Sequence, residues 1–82
     1  MGSIHRFPGV DPNDVAVGAR LKQWRQARGV DRERLARALR LTPEQLRLAE
    51  AGRAHLDSVQ IGAATACLSL PVWALMSDTP AY

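Results

Sequence analysis

Start and stop signals for helices recur at short intervals along this chain, and they limit what it can fold into. Gly29 closes one helical run, and Asp31 stands ready to cap the next. Thr42-Pro43-Glu44-Gln45 opens another, with Thr at the cap, Pro at the first helical position and Gln three residues after the cap. Gly52 stops that helix, and Asp57 or Ser58 caps a fourth. Between the signals, apolar residues fall at helical spacing: Val17, Leu21 and Trp24, then Leu35, Ala36 and Leu39, then Leu46 and Ala49. The spacing predicts helices over 14–28 (capped by Asn13 or Asp14), 32–39, 43–51 and 58–68, and a short fifth over 72–76 that Pro71 opens. Runs of alternating β-branched residues are missing. The expected fold class is therefore all-α, with five short helices.

The 82 residues allow one domain with one small core. Residues 1–12, punctuated by Gly2, Pro8, Gly9 and Pro12, read as an irregular N-terminal arm. Residues 13–76 read as the domain and 77–82 as a tail. A single cysteine excludes an internal disulfide framework and a multi-Cys zinc site. His5 and His55 stand far apart, away from clustered carboxylates, and no glycine-rich phosphate loop or nucleophile motif occurs. The expectation is no enzyme, no metal and no cofactor. With no leader-like apolar segment and no convincing membrane span, it is also a cytoplasmic protein without a membrane partner.

Charge is concentrated in the middle of the chain. From Arg20 to Arg53 there are ten cations, nine of them Arg, against Asp31, Glu33, Glu44 and Glu50. The remainder is net acidic, and its C-terminal third is nearly uncharged. A basic middle suits a polyanion, and an apolar end suits another protein chain.

Two short amphipathic helices joined by Arg40-Leu41-Thr42, inside a basic helical domain, suggest a helix-turn-helix. The stretch Val17–Met76 resembles the XRE-type, Cro and phage-repressor-like helix-turn-helix family. The matching residues are Gly18-x-Arg20-Leu21, Arg25-x-x-Arg28-Gly29-Val30, Leu35-Ala36 with Leu39, Leu46, Glu50-x-Gly52-Arg53, and the closing Leu68-x-Leu70 and Leu75. The resemblance implies a compact lambda-repressor-like five-helix domain that binds double-stranded DNA and regulates transcription. It also implies an ion pair between Arg20 and Glu50.

On this resemblance the helix at 43–51 is the recognition helix. Its candidate DNA-binding residues are Thr42, Pro43, Glu44, Gln45 and Arg47, with Leu48 beside them. Arg47 can make a two-bond contact to guanine, Gln45 to adenine, and Glu44 can accept from cytosine. Arg32, Arg53 and His55 are candidates for the phosphate backbone. The sequence departs from the family at Asp31-Arg32, at Arg40 in place of the turn glycine, and at Pro43-Glu44.

The apolar end, with Leu70, Val72, Trp73, Leu75 and Met76, exceeds what so small a core can hide. These residues form the expected interface of a homodimer, which would place two recognition helices on a palindromic operator. The competing expectation is a protein-interaction module on the same frame, such as an adaptor, an antirepressor or an antitoxin-like partner. Cys67 reads as a small core residue.

Overall fold

In the computed structural model, residues 11–71 and 73–76 are described. Five α-helices follow in chain order: α1 Pro12–Ala27, α2 Arg32–Leu39, α3 Pro43–Glu50, α4 Ser58–Leu68 and α5 Trp73–Met76. Among the described residues there is no strand.

Three helix starts fall where the sequence places them, and the first does not. Asp31, Thr42 and Asp57 each cap their helix through a side-chain oxygen. For α1 the cap is Asp11, which accepts from the Asn13 amide at 2.8 Å, and Pro12 is already helical. The proline read as part of the arm is thus a start signal, because its missing donor costs nothing in a first turn. The rest of the arm, 1–10, the side chain of Val72 and the tail 77–82 lie outside the described residues.

Four helices end alike. At Gly29, Arg40, Gly52 and Ser69 the backbone turns left-handed. The next residue's amide then reaches back five residues: Val30 to the Arg25 carbonyl, Leu41 to Ala36, Arg53 to Leu48 and Leu70 to Thr65. This closure satisfies carbonyls that a helix end would otherwise leave unpaired. Arg40 and Ser69 adopt it without the freedom of glycine, with φ of 60° and 59°.

Leu21, Leu35, Leu46, Leu68 and Leu75 are fully buried and make the centre of the core, one from each helix. Each contributes about 1.5–3 kcal/mol by leaving water. Val30, Leu39, Leu56 and Ile61 complete it, and Val17 and Trp24 pack on its edge. Gly18 sets the approach of α1 to α3: a Cβ there would lie 2.1 Å from the Ala49 carbonyl oxygen. No larger residue fits that crossing.

Two expectations about the apolar end are corrected. Val59, Ile61, Ala63, Ala64, Ala66, Cys67 and Leu68 make the 58–68 sequence apolar nearly all round, a pattern that implies burial on more than one side. Instead Ile61, Ala64, Thr65 and Leu68 form one buried stripe, and Val59 is 78% exposed. Its outward positions are mostly small, so water reaches them at little cost. Leu75, expected at an interface, is fully buried in the monomer and offers no surface to a partner.

Candidate nucleic-acid interface

The turn between α2 and α3 is Arg40-Leu41-Thr42, and both of its ends are tied. Arg40 takes the left-handed position that glycine would favour, and Leu41 donates to the Ala36 carbonyl at 2.9 Å. Thr42 then forms a reciprocal capping box with Gln45. The Gln45 amide donates to Thr42 Oγ1 at 3.0 Å, and the Thr42 amide donates to Gln45 Oε1 at 2.9 Å. The start of α3 is therefore held rigid relative to α2.

Leu46, Ala49 and Glu50 anchor α3 inward, while Pro43, Glu44, Gln45 and Arg47 are exposed and Leu48 is half-buried. The expected recognition residues thus share one outward surface. Their roles differ in detail from expectation. Gln45 has its amide oxygen committed to the cap, so a two-bond contact to adenine requires the box to open. Its NH2 group still has donors to offer. Thr42 likewise caps through its oxygen, and its hydroxyl proton can still donate.

Arg47 is held by Glu44. Arg47 Nε donates to Glu44 Oε1 at 2.9 Å, and Nη2 donates to Oε2. The hydrogen bond from Arg47 lowers the Glu44 pKa, and the more distant charge of Arg32 adds to the effect. The same bond raises the pKa of Arg47. The cation expected to read guanine and the anion expected beside it form one pair.

The stitch between α1 and α3 exists, but Arg25 makes it, not Arg20. Arg25 Nε donates to Glu50 Oε2, and Arg25 Nη2 donates to Oε1 at 3.2 Å. Arg25 Nη1 also donates to the Val30 carbonyl at 3.2 Å. Both partners are 7% exposed. The reason is helical phase: Gly18, Leu21 and Arg25 lie on the buried face of α1. Arg20 turns toward α5 and donates to the Leu75 carbonyl at 2.9 Å.

Arg32 adds a bond to the same carboxylate, from Nε to Glu50 Oε1 at 3.3 Å, and its side chain stays 38% exposed. It therefore braces α3 while keeping donors toward solvent. Arg34 and Arg37 are exposed on α2, Arg40 in the turn after it, and Arg53 just beyond α3. In contrast, Ser58–Leu68 contains no acidic or basic side chain.

His55 bonds to α1 rather than to α3 among the described residues. Its Nδ1 lies 2.8 Å from Asp14 Oδ1 on α1. The Asp14 carboxylate raises the His55 pKa, first through that hydrogen bond and then through its charge. The two residues rim a cleft of about 340 Å³ that Val17, Ile61 and Met76 also line. Sequence reasoning missed both Arg25 and Asp14. The phase of Arg25 relative to Leu21 was a usable signal; nothing in the sequence links positions 14 and 55.

A sequence-family profile described as a helix-turn-helix domain matches residues 16–70. The fold is similar to the crystal structure of the clp gene regulator ClgR from C. glutamicum, with a TM-score of 0.70 and 31% identity. That match covers 76% of this chain and 80% of the other. No functionally curated protein matches the chain.

Proposed function

The chain belongs to the helix-turn-helix domain family, and from that premise we propose that it is a sequence-specific regulator of transcription. In this reading α3 lies in the major groove of duplex DNA. The observation that carries it is the outward surface of α3, with Pro43, Glu44, Gln45 and Arg47 exposed beside the arginines of α2. An α-helix fits the major groove, where each base pair presents its own donors and acceptors.

Labour divides by position. Arg47 and Glu44 face the bases. Arg32, Arg53 and the Thr42 hydroxyl face phosphates, which set register without carrying sequence. Pro43 has no backbone donor and offers an apolar contact, as a thymine methyl would need. His55, held by Asp14, reaches the backbone only if that bond yields.

The regulator acts as a homodimer on an inverted repeat. Trp73 is 64% exposed and Met76 follows it one turn later, 55% exposed, on the same side of α5. A tryptophan left in water on a small domain favours burial against a second copy. Half-buried Leu70 joins Trp73 and Met76 in this interface, and Leu75 is withdrawn from it. Such a pair would set two α3 helices about 34–36 Å apart. Its place is the cytoplasm, on the nucleoid when bound to DNA.

Titration of duplex DNA at rising salt, followed by sedimentation, tests this reading. A DNA binder loses affinity with a log–log slope near −0.9 per phosphate neutralised. A slope near zero would instead favour a protein-interaction module on the same frame. A dimer that Trp73→Lys converts to monomer supports the interface, and an unchanged oligomer rejects it.

A further inference from the structure

The Glu44–Arg47 pair occupies the outward surface of α3, where a free cation would be expected. A guanidinium has five N–H donors and two edges that can each make a parallel pair of bonds. Glu44 takes one edge, through Nε and Nη2. The other edge keeps one N–H on Nη1 and one on Nη2, side by side. That spacing matches the O6 and N7 acceptors of guanine.

We propose that Glu44 is a positioning residue for base recognition: it holds Arg47 by the Nε edge so that the Nη1–Nη2 edge is presented to a guanine. This deepens the reading of α3 as a major-groove helix and rests on it. Three features of the fold support the assignment. The pair spans one helical turn (i, i+3), so both side chains rise from the same surface. The backbone beneath is fixed, by the capping box on one side and by buried Leu46 and Ala49 on the other. The Arg47 hydrogen bond, with the charge of Arg32 behind it, holds the Glu44 pKa below its ordinary value, so the carboxylate stays an acceptor.

The arrangement favours specificity over affinity. Glu44 cancels the charge of Arg47, so the pair is drawn weakly to phosphate, yet its remaining donors keep their direction. An unheld arginine would swing to any nearby phosphate and bind all sequences more tightly. Glu44 thereby selects against the wrong duplex as well as for the right one.

The test is selection from a duplex pool with randomised half-sites, using wild type, Glu44→Ala, Glu44→Gln and Arg47→Ala. Circular dichroism confirms the fold of each variant, and affinity for unselected duplex is measured in parallel. Wild type should prefer guanine at one position of each half-site by roughly tenfold to a hundredfold, the discrimination of one two-bond contact. Arg47→Ala should abolish that preference. Glu44→Ala and Glu44→Gln should cut it to about threefold or less while raising affinity for unselected duplex. Preference unchanged or sharpened in both Glu44 variants would overturn the proposal and leave Arg47 reading unaided. Wild type that enriches no sequence would instead reject the DNA-reading premise, and this inference with it.

Discussion

Arg25 on α1 holds Glu50 at the end of α3 through both carboxylate oxygens, and the two residues are almost entirely buried. Buried ion pairs add little net stability over a well-packed apolar pair, because desolvation offsets the attraction. Removing one partner is different, since it strands the other charge in the core. Arg25→Ala and Glu50→Ala should each lower stability by about 3–5 kcal/mol in urea unfolding. Arg32→Ala should cost much less, because Arg32 is partly solvated. A loss below about 1 kcal/mol for Glu50→Ala would mean the pair does not join α1 to α3 as described.

The two helical glycines should respond in opposite directions. At Gly18 a Cβ collides with the Ala49 carbonyl, so Gly18→Ala must push α1 off α3 at a cost of about 1–3 kcal/mol. At Gly62 a Cβ meets nothing within 4 Å. Gly62→Ala should therefore stabilise by about 0.5–1 kcal/mol through helix propensity. Melting temperatures of both variants check the contrast, and equal shifts would contradict the crossing geometry.

Arg40 sits at φ 60° in the turn before α3. Relief of its left-handed strain should outweigh the extra freedom of glycine in the unfolded chain. Arg40→Gly should gain about 0.5–1 kcal/mol in denaturant unfolding. Destabilisation instead would show that the arginine side chain contributes more than its backbone costs.

His55 should titrate above its ordinary value near 6.5, because Asp14 favours the imidazolium. The pair's contribution to stability is fully present below the unfolded-state pKa and fades as pH rises through the higher folded-state pKa. NMR titration of the His55 ring should show the raised midpoint, and Asp14→Asn should abolish the rise. A midpoint at or below 6.5 in the native chain would contradict the contact.

Much of this architecture is legible in the residues themselves. Thr42, Pro43 and Gln45 specify the start of α3 locally, since a capping box needs only neighbours in sequence. Asp31 and Gly29 act in the same way. What escaped is relational. Choosing Arg25 over Arg20 requires knowing which face of α1 meets α3, and a motif match at the wrong arginine hides the phase. The pairing of Asp14 with His55 depends on a loop closing back onto α1. The burial of Leu75 beside exposed Trp73 depends on how a four-residue helix docks. Adjacent apolar residues there look alike until the core chooses one. At the candidate interface, the residue types on α3 could be read directly, but the bond from Glu44 to Arg47 could not. Residue type alone gives each its own base.

If α3 reads sequence in duplex DNA, the protein selects particular fragments from a genome. Incubating the pure chain with sheared genomic DNA near ~150 mM salt, then sequencing what stays bound, tests it most directly. A few strongly enriched fragments that share an inverted repeat are expected. Uniform recovery that disappears as salt is added would contradict it, leaving only attraction between the arginines and the phosphate backbone.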